Sequence, residues 1–273
     1  MSRAFRFGVS IAGVPSSRAV LTKAAARFAG LEFDVLLIRD HLDTPAPLPL
    51  LLAAAEDTTL RLGTYVLNAG FYKPALLARD AATVSQLTGG RLELGLGAGY
   101  VREEFEAAEL PFGGAASRIR HLEHITSYLK RELPGVPILI AGSGQKVLGV
   151  AARHADTIGL TGTPAGLTGS DPLAERIAWV RRAAGDRFGD LELNLSITAA
   201  PTGNSTVPDL SLVRRFVPGL PDRKLLALPG VLSGSAREIA DTLRGYRETY
   251  GVTYLSVPAA LADTFATIIP ELR

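Results

Sequence analysis

Apolar positions along the chain fall into two alternating kinds of run. Short apolar stretches occur at 5–10 (FRFGVS), 34–38 (DVLLI), 61–67 (RLGTYVL), 91–96 (RLELGL) and 136–141 (VPILIA). Three more follow at 157–160 (TIGL), 191–197 (LELNLSI) and 253–257 (TYLSV). Their length and apolar character predict strands. Between them, apolar residues recur at helical spacing over 17–29, 48–55, from 74 onward, and over 116–130 and 145–153. The pattern continues over 172–184, 236–250 and 260–270. Gly30 closes the first of these helices, while Pro74 and Asp171-Pro172 suit first turns.

Eight strand–helix repeats without a break in composition predict one α/β domain over 1–273, a single (β/α)8 TIM barrel. Strand count alone leaves an open doubly wound sheet as the alternative. A barrel places its site where strands end and helices begin. Those ends are 10–15, 39–43, 68–73, 97–100, 142–144, 161–163, 199–206 and 258.

Composition narrows the partners. The net charge is +2 over 273 residues and no lysine or arginine stripe forms, so nucleic acid is not expected. Without cysteine, disulfides, thiolate metal sites and cysteine nucleophiles are excluded. The longest apolar run, 47–55, is far shorter than the ~18–20 residues that span a bilayer. Residues 1–17 lack an apolar signal region, so a cytoplasmic protein without a membrane partner is expected.

The stretch GGRLELGLGAGYVR (89–102) invites a dinucleotide reading, which its spacing refuses. A G-x-G-x-x-G counted from Gly95 meets Tyr100 at its third glycine, and counted from Gly97 meets Arg102. It also follows the fourth strand, not the first. Two readings remain for Gly97-Ala98-Gly99: bare backbone lying flat against a ring system or another loop, or a tight turn needing positive φ. In IAGSGQKVLGVAARHAD (140–156), a strand, Gly142-Ser143-Gly144 and a helix make a cluster of free N–H groups suited to phosphate, or an ordinary turn. Asp40-His41-Leu42-Asp43 puts a histidine at a strand end, a candidate for proton transfer. His121 and His124, three apart in a charged helix, read as a solvated face, and no metal site is expected. The acids Glu103, Glu104, Glu106 and Glu109 read as a solvated run. No serine elbow, P-loop lysine or HExxH motif is present.

AGLEFDVLLIRDHL (29–42), KPALLARDAATVSQLTGGRLELGLGAGYVREEFEAAELPF (73–112) and ILIAGSGQKVLGVAARHADTIGL (138–160) together resemble the bacterial luciferase-like superfamily. ERIAWVRRAAGDRFGDLELNL (175–195) and SGSAREIADTLRGYRETYGVTYLSVP (233–258) resemble its actinobacterial subfamily of probable oxidoreductases using the deazaflavin coenzyme F420. The resemblance implies a luciferase-like barrel holding a flavin or deazaflavin at the strand ends. Asn68-Ala69-Gly70 would pass behind the ring, often with a non-proline cis peptide, and Gly97, Ala98, Gly99 and Tyr100 would flank it. Ala141, Gly142, Ser143, Gly144 and Gln145 would hold the phosphate. His41, beside Asp40, would stand near the reactive edge, and a homodimer is implied.

Two departures from the family's pattern stand out. Ala69-Gly70 replaces an Asn-Asp pair before Phe71-Tyr72-Lys73-Pro74. Glu132-Leu133-Pro134-Gly135 enters the fifth strand directly where the family inserts a further segment, a shortening expected to open the pocket, change the dimer surface or weaken cofactor binding. Three functions follow: hydride transfer between reduced F420 and a small organic substrate, an FMN-dependent monooxygenase, or a cofactor-free barrel serving as a biosynthetic enzyme or binding subunit.

Overall fold

A computed structural model describes residues 3–11, 17–162 and 171–273; the strand-end positions 12–15 and 163 lie outside the described residues. The chain runs β1 (Arg6–Ile11), α1 (Arg18–Gly30), β2 (Val35–Ile38), α2 (Pro47–Ala55), β3 (Arg61–Thr64) and β4 (Leu67–Asn68). Next come α3 (Pro74–Leu87), β5 (Leu92–Gly97), α4 (Arg102–Ala107), α5 (Ala115–Glu132), β6 (Ile138–Gly142) and α6 (Gln145–His154). The remainder is β7 (Thr157–Thr161), α7 (Pro172–Ala184), β8 (Glu192–Ser196), α8 (Ser211–Phe216), α9 (Asp222–Leu225), α10 (Ala236–Tyr250), β9 (Val252–Pro258) and α11 (Ala262–Leu272).

Every pairing between these strands is parallel. The order is β3-β2-β1-β9-β8-β7-β6-β5-β4, and a further β3–β5 pairing closes the sheet. The result is the expected TIM barrel of eight strands, with the third split in two. That split corrects the continuous strand read at 61–67. The chain leaves the ladder after Thr64, the Tyr65–Val66 peptide is cis, and pairing resumes at Leu67↔Leu96.

The main core lies between strands and helices, where Leu36, Leu62, Leu94 and Leu255 meet Leu21, Leu51, Leu77 and Phe265. Inside the barrel the filling is different. Val35, Leu37, Leu139 and Tyr254 pack there against Tyr65, Val66 and Ala141. Gly8 and Gly63 face Leu37, where a Cβ would lie 2.7 Å from a leucine methyl, so large and small residues alternate to fit. At the strand starts, Arg6 bonds Glu93 at 2.6 Å and Glu192 at 2.7 Å, and its guanidinium lies over Tyr254. This polar plug closes the N-terminal face.

The connection from α5 to β6 enters β6 at its N-terminal end, held by Leu133 N–H to Leu129 O at 2.8 Å. A parallel barrel puts that end opposite the C-terminal mouth. The shortened connection therefore does not border the mouth, contrary to the expectation that it opens the pocket. No helix among the described residues is long and apolar enough to cross a membrane.

Candidate active site

A cavity of about 770 Å³ opens at the C-terminal ends of β2, β4, β5, β6 and β7. One wall is backbone. β4 pairs with β5 through Leu67↔Leu96 and Asn68↔Gly97, which brings 65–68 beside 97–99. A Cβ on Gly97 would lie 2.8 Å from a Val66 methyl. Gly99 has φ +73°, and a Cβ there would sit 2.2 Å from Asn68 Oδ1. The tight-turn reading thus holds at Gly99, while Gly97 is packed against the neighbouring segment at Val66. Tyr100 stands 75% exposed at the rim.

Asn68 lines the cavity, but Ala69 and Gly70 do not, a correction to the sequence reading. After β4 a tight turn at Ala69–Phe71 carries the chain outward. Ala69 is fully buried in the main core, and a Cβ on Gly70 would meet the Phe105 ring at 2.4 Å. The cis peptide also falls upstream of Asn68, not within 68–70. Tyr65 and Val66 take the wall position in their place.

At the rim beside this wall, His41 Nδ1 lies 2.8 Å from Glu104 Oε1, with the carboxylate side chain 15% exposed. Glu104 belongs to α4, whose Phe105 is buried against Phe71 and Phe112. The solvated reading of the glutamate run is therefore corrected for Glu104. The His41 turn is braced by Thr44, whose hydroxyl donates to His41 O at 2.8 Å. Asp40 also faces the cavity, and its Oδ2 accepts from Asn68 N–H at 3.0 Å and from Tyr72 Oη at 3.4 Å. Burial pushes its carboxyl above the ordinary aspartate range. His121, read as solvated, instead bonds the Tyr72 carbonyl at 3.1 Å.

Ala141, Gly142, Ser143, Gly144 and Gln145 form the third wall, where β6 turns into α6. Gly144 caps the helix with no side-chain bond, so among the described residues the first-turn N–H groups of α6 have neither an intrahelical acceptor nor a capping side chain. Three cations line the same cavity. Lys146 follows Gln145, Arg118 donates to Gly99 O at 2.9 Å, and Arg39 donates to Ser10 Oγ at 3.3 Å. Arg176, fully buried, donates to Thr161 O at 2.7 Å and Ser143 O at 3.3 Å, tying β7 to the glycine loop. Arg118 and Lys146 were missed because a basic residue inside a helix carries no local mark of the site it reaches. Among the described residues, no group of three or more His, Asp or Glu is placed to hold a metal ion.

A closed parallel barrel with a backbone-walled cavity at its strand ends and an anion-ready helix start defines a (β/α)8 barrel with a candidate cofactor site. Residues 19–131 match the model of the family described as luciferase-like monooxygenase. Over 147 residues the chain is 29% identical to 5,10-methylenetetrahydromethanopterin reductase of Archaeoglobus fulgidus, an alignment taking in 46% of this chain and 44% of that protein. The chain thus spans less than half the length of that relative. The coenzyme F420 dependent tetrahydromethanopterin reductase of Methanopyrus kandleri has the same fold, with a TM-score of 0.77 at 16% identity over 99% of this chain and 100% of that one. So does the oxygenating constituent of 3,6-diketocamphane monooxygenase of Pseudomonas putida, solved with FMN, with a TM-score of 0.73 at 17% identity over 99% and 98%.

Proposed function

We propose that the chain is an oxidoreductase whose cavity holds reduced coenzyme F420 and delivers a hydride to a small organic substrate. The observation that carries this reading is the His41–Glu104 pair, 2.8 Å apart, at the rim of a cavity whose adjoining wall is largely backbone. The residues present suit such a cofactor. The cavity's about 770 Å³ falls within the ~300–1,000 Å³ of cofactor pockets. Val66, Ala98, Ile119 and Val147 give apolar surface for a flat ring, and the α6 start with Lys146 and Arg118 supplies donors for a phosphate.

When bound, the deazaflavin supplies two-electron hydride chemistry. The chain's own residues do the rest. With Nδ1 engaged by Glu104, His41 keeps Nε2 as the nitrogen that holds or takes the accompanying proton. The Glu104 carboxylate fixes the ring's orientation. The 65–68 and 97–99 segments would be the ones to hold the ring, leaving the rest of the cavity for substrate. A homodimer belongs to the same reading, and sedimentation tests it.

Titrating the purified protein with F420 and with FMN, followed by absorbance and fluorescence, tests the assignment. Binding of F420 but not FMN is the expected result. FMN alone would replace the proposal by a monooxygenase on the same scaffold. Failure of both at micromolar concentration would overturn both redox readings in favour of a cofactor-free barrel.

A further inference from the structure

Of the three cations lining the cavity, the phosphate donors account for two. Lys146 stands at the α6 start and Arg118 beside Gly99, whereas Arg39 follows directly after β2. On the shorter way round the closed sheet, β3 and β5 lie between β2 and β6, so Arg39 belongs to a different part of the mouth from the α6 start. The β1–β2 register fixes its place. Ser10 pairs with Leu37 and Ile11 with Ile38, which brings the Ser10 hydroxyl to 3.3 Å from Arg39 Nε.

That bond leaves a defined shape. Nε–H donates to Ser10, while Nη1 and Nη2 have no acceptor among the described residues. Both acids of the cavity wall are engaged elsewhere. Asp40 accepts from Asn68 N–H and Tyr72 Oη, and Glu104 meets His41 Nδ1. Residues 12–16 and 163–170, outside the described set, contain no Asp or Glu, so the sequence there supplies no carboxylate either. Tyr65 stands beside the guanidinium. Its hydroxyl donates to the fully buried Asn194 at 2.8 Å, and burial raises its pKa while the nearby Arg39 charge opposes the shift. A half-buried guanidinium held at one nitrogen keeps two parallel donors in one plane, the geometry that matches the two oxygens of a carboxylate.

We infer that Arg39 anchors the substrate: the small molecule reduced in this cavity carries a carboxylate, gripped by the Nη1–Nη2 edge. That the carboxylate is a substrate's rests on the hydride-transfer reading above. The group is a handle only, with no bond to it formed or broken, and His41, two residues on, faces the same cavity. The cofactor's phosphate and the substrate's carboxylate thus have separate cations, which lets both be held at once.

Benzoate and its neutral isostere benzamide probe the subsite by isothermal titration calorimetry of the full chain without cofactor. Benzoate is expected to bind saturably at millimolar concentration, and benzamide roughly tenfold more weakly. Arg39→Met keeps the stem and removes the fork. It should weaken benzoate by roughly 10- to 100-fold, the span of a charge-assisted hydrogen bond, and leave benzamide unchanged. Arg39→Lys keeps the charge and should recover only part of the loss. In the wild type, where folding is not at issue, inorganic phosphate should not displace benzoate, and F420 should bind alongside it. Benzoate binding that is absent, equals that of benzamide, survives Arg39→Met, or yields to phosphate or F420 would overturn the inference. Benzoate held through Arg39 in a protein that binds neither F420 nor FMN would remove the proposed function and leave the carboxylate site standing.

Discussion

The Thr64 hydroxyl donates to the carbonyl of Gly95 and accepts from its amide, both at 2.9 Å. A side chain thus takes the place of a strand where the β3–β5 ladder stops after Gly63↔Glu93 and before β4 resumes at Leu67↔Leu96. Gly95 makes this possible, because a Cβ there would lie 2.0 Å from the Thr64 carbonyl oxygen. The obstacle is backbone and cannot rotate away. Gly95→Ala is therefore expected to cost at least the upper part of the ~1–3 kcal/mol range for overpacking. Thr64→Val keeps the shape but strands two buried polar groups, at ~1–3 kcal/mol each. Thermal melts check both, at about 2–4 °C per kcal/mol for a chain of this size class. An unchanged midpoint for either variant would mean the contact does not hold the split strand.

That contact also explains which parts of the molecule could be read without coordinates. The eight repeats were legible because strand length and helical period are local properties. The break in the third strand was not, since its cause is a residue 31 positions away. The glycine loop at 142–144 was legible for the first reason, lying directly between a strand and a helix. Glu104 was missed for the second. Its helix has six residues, REEFEA, with one buried apolar anchor, Phe105, which is too little for a periodic signal. Arg118 belongs to the same class: it reaches Gly99 across 19 residues of sequence, and only packing around Phe112 puts it there.

Asp40 yields a pH prediction. Burial raises its carboxyl above the ordinary value, with the bonds from Asn68 N–H and Tyr72 opposing the shift. The folded state then binds the proton more tightly than the unfolded chain. Its contribution to stability is fully present below the unfolded carboxylate pKa of about 3.9 and is lost as pH rises through the folded value. Asp40→Asn keeps an oxygen for Asn68 N–H and carries no charge. Its melting temperature relative to wild type should therefore climb as pH is raised from acid toward neutral. Asp40→Ala should be less stable throughout, by ~1–3 kcal/mol, because the Asn68 amide loses its acceptor. A difference between Asn variant and wild type that stays constant with pH would sink the argument.

The His41–Glu104 pair separates a proton-handling role from an orienting one. His41→Ala is expected to lower turnover by ~10²–10⁴-fold on any substrate the wild type reduces, the range for loss of a general acid or base. Glu104→Gln keeps an acceptor for Nδ1–H but drops the charge. A smaller fall in kcat with KM nearly unchanged is expected, and steady-state kinetics of the two variants distinguish the cases. Equal turnover in His41→Ala and wild type would remove the histidine from the mechanism.

The start of α6 permits a substitution that deletes a single anion donor and little else. Gln145 is the first residue of the helix after its cap, Gly144, whose backbone is extended at φ −90°, ψ 151°. Proline is favoured at a first helical position, and an extended residue before it is what proline requires. Gln145→Pro should therefore leave the melting temperature close to wild type while removing one N–H from the cavity wall. A charge-assisted hydrogen bond contributes ~1.5–3 kcal/mol, or about 10- to 100-fold in affinity. The loss should appear for ring ligands that carry the phosphate and not for ring compounds that lack it. Paired titrations of FMN and riboflavin, or of F420 and its phosphate-free ring compound, provide the comparison. Equal losses for both members of a pair would place the phosphate elsewhere on the barrel mouth.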